Sequence, residues 1–243
     1  MGARYRPDTA LAPAQLAVAG GLAYALFLPP MAPRGGLVIL HGADSCKESH
    51  FDFARLAVSE GLAALVFDAR GHGDSEGALG GGALRDVAAM VARVREACGG
   101  RPVALRGSSM GGWMALAGAQ AARADAVIAI CPASSGGLRR GLREGGFAFR
   151  CDRDALDALL SEHDPHAAAA ALGERLMILH AEGDEQVAVS VSDELHAAAP
   201  GSRYVRVPGG HHRSLQHDGE LQAATLRWLR RRLWGAPDPL SPR

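Results

Sequence analysis

Short apolar runs alternate along this chain with longer stretches in which apolar positions recur every three or four residues. The runs GLVIL (36–40), ALVFD (64–68), VALR (103–106), AVIAI (126–130), LMILH (176–180) and YVRV (204–207) are apolar or β-branched on both faces. Such runs suit strands covered by helices on two sides, as in a parallel sheet. LAVAGGLAYALFLP (16–29) reads as two strands about Ala19-Gly20-Gly21, a hairpin signal. Helical spacing is clearest in RDVAAMVARVREAC (85–98), with Val87, Met90, Val91 and Val94 on one face. MGGWMALAGAQAARA (110–124), VSDELHAAA (191–199) and ELQAATLRWLRRRLW (220–234) follow the same logic. Strand and helix taking turns predict a doubly wound, mostly parallel α/β sheet. EGALGGGA and SSGGLRRGLREGG read as glycine-rich loops, GAPDPLSPR (235–243) as a flexible Pro-rich tail, and no internal repeat is present.

Composition narrows the functional class. A chain of 243 residues is expected to form one α/β domain over its whole length. With 26 basic and 26 acidic residues the net charge is zero, which removes the basic footprint of a nucleic-acid binder. Cys46, Cys98, Cys131 and Cys151 are scattered without a CxxC pair, as free thiols in a reducing compartment would be. MGARYRPDTALAP has no long apolar core after its charges, and no run approaches the roughly 20 apolar residues of a membrane span. The expectation is a soluble, cytoplasmic protein with neither a nucleic-acid nor a membrane partner.

In open parallel sheets ligands gather beyond the carboxyl ends of the strands. The polar residues that follow the predicted strands are His41 and Gly42, Asp68, Ser108 and Ser109, Asp184, and His211 and His212. A serine, an acid and a histidine thus lie, in that chain order, on one rim of the sheet. GSSMG (107–111) fits G-x-S-x-G between a predicted strand and a predicted helix. With LHG (40–42), DARGHGDSEG (68–77), HAEGDEQV (180–187) and VPGGHH (207–212), the chain resembles the α/β-hydrolase superfamily in its compact serine-hydrolase branch. The resemblance runs from about the first hairpin to the last helix.

That resemblance implies a nucleophile, a base and an acid. A nucleophile elbow needs glycines two residues either side of the serine, because the turn crowds Cβ atoms there. Gly107 and Gly111 flank Ser109 at that spacing, whereas Ser108 would have Arg106 and Met110. Ser109 is therefore the candidate nucleophile, set against a plain helix-capping role, and Ser108 a packing or hydrogen-bonding neighbour. The family pattern of Pro, Gly, two variable residues and His selects His212 over His211 as base. Asp184 follows its strand as the family's acid does, although Val187-Ala188 stands where members often carry Val-Pro. The oxyanion hole implied is the backbone N–H of Met110 with that of Ala43, and no cofactor or metal is implied. A zinc site from His211, His212, His217 and Asp218 fits no ligand spacing.

Substrate is less constrained. The segment 132–174, where larger relatives carry a lid, is short and rich in Gly, Arg and Ala, and only DRDALDALLSEH (152–163) reads as a helix. This minimal cap predicts a shallow cleft with few apolar walls and short acyl groups. Arg139, Arg140, Arg143 and Arg150 are read as a solvated face, with an anion-binding role as the alternative. A serine at the elbow counts against dehalogenase and epoxide-hydrolase chemistry, whose members use aspartate. The expected function is hydrolysis of a small or short-acyl carboxylic ester. Thioester or peptide-like amide cleavage is the near alternative, and a non-catalytic receptor or scaffold on the same fold the distant one.

Overall fold

The computed structural model describes residues 11–235; most of the Pro-rich tail and the first ten residues lie outside them. The described residues contain β1 (Gln15–Ala19), β2 (Leu22–Phe27), β3 (Gly35–Leu40), β4 (Leu62–Phe67), β5 (Val103–Ser108), β6 (Ala126–Ile130), β7 (Leu176–Ala181) and β8 (Arg203–Val207). They form one sheet in the order β1-β2-β4-β3-β5-β6-β7-β8. Ala19 pairs with Leu22 across Gly20 and Gly21, whose φ angles of 60° and 80° are those a two-residue hairpin turn with right-handed twist requires. From β3 to β8 every neighbouring pair is parallel.

Helices cover both faces. Their ranges are α1 (Phe51–Ser59), α2 (Ala83–Ala97), α3 (Met110–Gly118), α4 (Ser135–Glu144), α5 (Arg153–Glu162), α6 (Pro165–Leu172), α7 (Ser190–Ala198) and α8 (Gly219–Trp234). Along β3, Val38 and Leu40 point into the core shared with α2 and α3, and Leu37 and Ile39 into the one shared with α1 and α8. This two-sided burial is why the strands read as continuous apolar runs. The chain winds from β3 out to β4 and then back past β3 to β5. The reversal opens a crevice beyond the carboxyl ends of β3 and β5. Among the described residues no helix is long and apolar enough to cross a membrane.

Three helical readings need correction. SSGGLRRGLREGG is not a loop: α4 runs through it, capped by the Ser134 hydroxyl accepting from the Gly137 amide and closed by Gly145 at φ 69°. Leu138 and Leu142 supply a buried i, i+4 pair, and this with two good caps outweighs the glycine cost of about 1 kcal/mol each. Segment 132–174 therefore holds three helices rather than one, since α6 also starts there behind the Asp164 cap and Pro165. Helix α3 ends at Gly118, six residues early, where the chain turns so that the Asp125 amide meets the Val103 carbonyl. Helix α1 was also not predicted, although a crossover between parallel strands demands an element there.

Candidate active site

Strand β5 delivers Ser109 to the crevice through a turn that other residues would not tolerate. Ser109 has φ 54° and ψ −120°, a conformation strained for a residue with a side chain. Its amide donates to the Ile130 carbonyl and its carbonyl accepts from the Trp113 and Ala133 amides, so the surrounding backbone holds that strain. A Cβ on Gly107 would lie 2.0 Å from the Gly111 carbonyl oxygen, and one on Gly111 would lie 2.4 Å from that of Leu40. Both glycines are thus obligatory for the approach of α3 to β5 and β3. The Met110 amide opens α3, among the N–H groups that a helix leaves without an intrahelical acceptor.

The loop after β3 closes one side. Ser109 Cβ is the atom that a Cβ on Gly42 would approach, at 3.4 Å, and Ala43 lines a cleft of about 230 Å³ with Ser109 and His212. Below the loop, Lys47 is almost fully buried, its ammonium 2.9 Å from Asp68, 2.6 Å from Asp74 and 2.9 Å from Glu48. Asp68 also accepts from the Lys47 and Asp74 amides, clamping this loop to the one after β4. His41 accepts from the Ala69 amide at Nε2, so its proton is on Nδ1, which donates to the Gly42 carbonyl at 2.7 Å. Burial pulls its pKa down to about 4 and keeps the ring neutral.

Strands β7 and β8 bring the acid and the histidine together. Asp184 has a fully buried carboxylate: Oδ1 accepts from the Gln186 and Val187 amides at 2.9 and 2.8 Å, and Oδ2 from His212 Nδ1 at 2.7 Å. Burial opposes its ionisation, but hydrogen bonds from His180, His212 and those two amides hold its pKa well below the usual carboxylate range. His212 is buried at the rim, while His211 is exposed and its amide is turned towards the Ser214 hydroxyl. The structure thus gathers Ser109, Ala43 and His212 around one cleft, places Met110 at its helix end and seats Asp184 behind His212.

Several contributors went unread in the sequence. His180 donates from Nε2 to the Val187 carbonyl and sits 3.4 Å from Asp184, while Ser192 bonds its Nδ1 at 2.6 Å. A histidine inside the apolar run LMILH was the available signal. Gln216 ties the histidine loop to the elbow strand: its Oε1 accepts from Ser108 at 3.0 Å and its carbonyl from Arg106 at 3.2 Å. Arg106 is buried over the Phe53 ring, 3.8 Å from its centroid, and burial pulls its pKa down to about 9. Arg139 pairs with Asp157, and none of the four cap arginines lines the cleft, whereas Arg213 does.

The cleft's own walls carry only three apolar side chains, Ala43, Leu138 and Phe147, among glycines and polar groups. Beside the cleft lies a second, wholly apolar space bounded by Met110, Trp113, Leu142 and Leu156 among others, with Leu138 and Phe147 lining both spaces. Its open volume is about 10 Å³, room for one water molecule at most. Cys131, Asp184 and His212 are close enough to suggest a metal site. However, burial pushes the Cys131 thiol up to about 12, so it stays protonated. The 2.7 Å between Asp184 and His212 is a hydrogen-bond distance, shorter than the roughly 3.3 Å between ligands 2.0 Å from a tetrahedral metal.

Residues 31–149 match the family model described as serine aminopeptidase, S33. No curated protein matches the sequence. Among solved structures, the chain is similar to a Xanthomonas campestris protein described as an α/β serine hydrolase without lid. The two share 22% identity over 93% of this chain and 99% of that one, with a TM-score of 0.67. It is also similar to a Paleococcus ferrophilus monoacylglycerol lipase (18%, 86% and 98%, TM-score 0.68). The protein Est1E of Butyrivibrio proteoclasticus, solved with ferulic acid bound, shares 19% identity over 87% and 95%, with a TM-score of 0.68.

Proposed function

We propose that this chain, whose residues 31–149 match the serine aminopeptidase family model and whose fold is that of solved α/β serine hydrolases, is a serine hydrolase that cleaves a carboxylic ester through an acyl-enzyme. The observation that carries this reading is the Asp184–His212 hydrogen bond of 2.7 Å at the cleft that Ser109 lines. Ser109 Oγ attacks the ester carbonyl while His212 Nε2 takes its proton. Asp184, kept ionised, fixes the Nδ1–H tautomer and stabilises the imidazolium. The negative oxygen of the tetrahedral intermediate is met by the Ala43 and Met110 amides. The intermediate collapses as His212 passes the proton to the leaving alcohol. Water then attacks the acyl-enzyme with His212 again as base, releasing the carboxylic acid and restoring Ser109.

The four free cysteines favour a reducing, cytoplasmic setting. A fluorophosphonate probe, with a p-nitrophenyl ester panel, tests the reading. Labelling of Ser109 and turnover of acetate or butyrate esters are expected. Absence of both would leave a non-catalytic receptor or scaffold as the better account.

A further inference from the structure

The segment between α4 and α5 crosses the mouth of the crevice as a strap. The Asp44 carboxylate accepts from the Ala148 and Phe149 amides at 2.9 and 3.1 Å, so the loop after β3 holds the strap directly. Gly71 accepts from the Arg150 amide. Rings continue the anchor: Phe149 stacks on His72 at 4.3 Å, and His72 lies 4.8 Å from His41. Phe147 stacks on Phe149 at 5.1 Å, and its ring lies against α4 at Gly141, where a Cβ would come within 2.7 Å of it. Phe147 is consequently fixed, half-buried, and lines both the catalytic cleft and the apolar space.

That apolar space has the chemistry of a hydrocarbon site. The one polar group on its wall, the Trp113 indole N–H, is occupied by the Ser135 hydroxyl at 2.8 Å. Its walls include Met110 and Trp113, on the helix that begins just after Ser109, so it lies next to the turn that carries the nucleophile.

We propose that Phe147 sets acyl-chain specificity, closing an apolar pocket beside Ser109 so that short acyl groups are accepted and longer ones are turned away. The inference rests on the ester-hydrolase reading. It attributes short-chain preference to a filled pocket rather than to a missing one. Shortening Phe147 to alanine joins the two spaces, and each methylene buried there is worth about fourfold in kcat/KM.

The test compares kcat/KM for p-nitrophenyl acetate, butyrate, hexanoate and decanoate in wild type, Phe147→Ala, Phe147→Leu and Phe147→Ala/Leu156→Phe. Leu156 lines the apolar space away from the cleft, so its enlargement refills the pocket from behind. Wild type is expected to peak between acetate and butyrate. Phe147→Ala should raise the hexanoate-to-acetate ratio at least tenfold, Phe147→Leu by less, and the double variant should return towards wild type. Calorimetric titration with decanoate supplies a readout independent of turnover, with binding at least tenfold tighter to Phe147→Ala. Esters turned over with an unchanged profile and unchanged decanoate binding would overturn the pocket and leave the hydrolase reading standing, as would a changed profile that Leu156→Phe fails to reverse. A wild-type optimum at decanoate would also overturn it. No turnover of any ester, with tighter decanoate binding to Phe147→Ala, would overturn the reaction and keep the pocket.

Discussion

Replacing Lys47 by methionine keeps most of the side-chain length and removes the charge. Asp68 is then left with two backbone donors and no counter-ion, at zero exposure. Breaking a buried pair by deleting one partner costs about 3–5 kcal/mol. The two surviving amide bonds place this case near the lower end, at about 3 kcal/mol. For a chain of this length that lowers Tm by about 6–12 °C. Burial alone would lower the Lys47 pKa, but hydrogen bonds to Asp74, Glu48 and Asp68 outweigh it and raise the value above 10.5. The contribution is therefore complete below about pH 10.5 and lost only as pH rises beyond the ordinary lysine range. Urea unfolding followed by circular dichroism at pH 7.5 measures the loss. The companion Lys47→Met/Asp68→Asn should recover part of it, because no unpaired buried charge remains. Asp74→Asn should cost far less, since that carboxylate stands in solvent. A loss below about 1 kcal/mol for Lys47→Met, the range of exposed pairs, would refute the clamp.

Further outcomes follow from the same geometry. Ser109→Ala should abolish labelling and lower kcat by about 10³- to 10⁶-fold, while Ser108→Ala, which loses one bond to Gln216, keeps substantial activity in an ester assay; equal activity in Ser109→Ala and wild type would remove the nucleophile. His212→Ala should cost about as much as Ser109→Ala and His211→Ala much less, and the reverse order in kcat would move the base by one residue. Acid should begin to destabilise the fold through its buried histidines, above the ordinary carboxylate range. The unfolded chain takes up protons on histidine below pH 6.5, whereas burial keeps His41 neutral down to about 4, so stability falls as pH drops from 6.5 to 4. His41 alone contributes about 3 kcal/mol to that fall, and burial with the Arg106 charge also holds His50 well below its ordinary value. A urea midpoint unchanged between pH 7 and 4.5 would contradict this.

All eight strands were legible: β1 and β2 by their hairpin glycines, β3 to β7 by continuous apolar burial, and the edge strand β8, with Arg203 and Arg206 exposed, by Tyr204, Val205 and Val207. The elbow was legible through its spacing: Gly107 is constrained by Gly111 within five residues of chain, although Gly111 in turn is constrained by Leu40 and His41 at the end of β3. What stayed hidden depends on distant partners. Helix α4 looked like a loop because its glycines are local, whereas the core that receives Leu138 and Leu142 is not. Lys47 carries no local signal of its own, since its partner Asp68 follows β4, 21 residues on. The arginines of the cap suggested polarity, and they do face solvent or Asp157. The apolar residues between them face inward to build the wall that composition concealed.

The groups placed around the reaction all lie outside the stretch from Pro132 to Glu174: Ser109 and both amides before it, Asp184 and His212 after it. On the proposed reading, the groups that act on the ester and the residue that screens its acyl chain come from separate stretches of sequence. The two stretches meet at several seams. Asp44 holds the strap at Ala148 and Phe149, Gly71 and Leu79 bond it at Arg150 and Asp152, and Met110 and Trp113 line the apolar space, so a lineage that replaced the cap would have to renegotiate each of them.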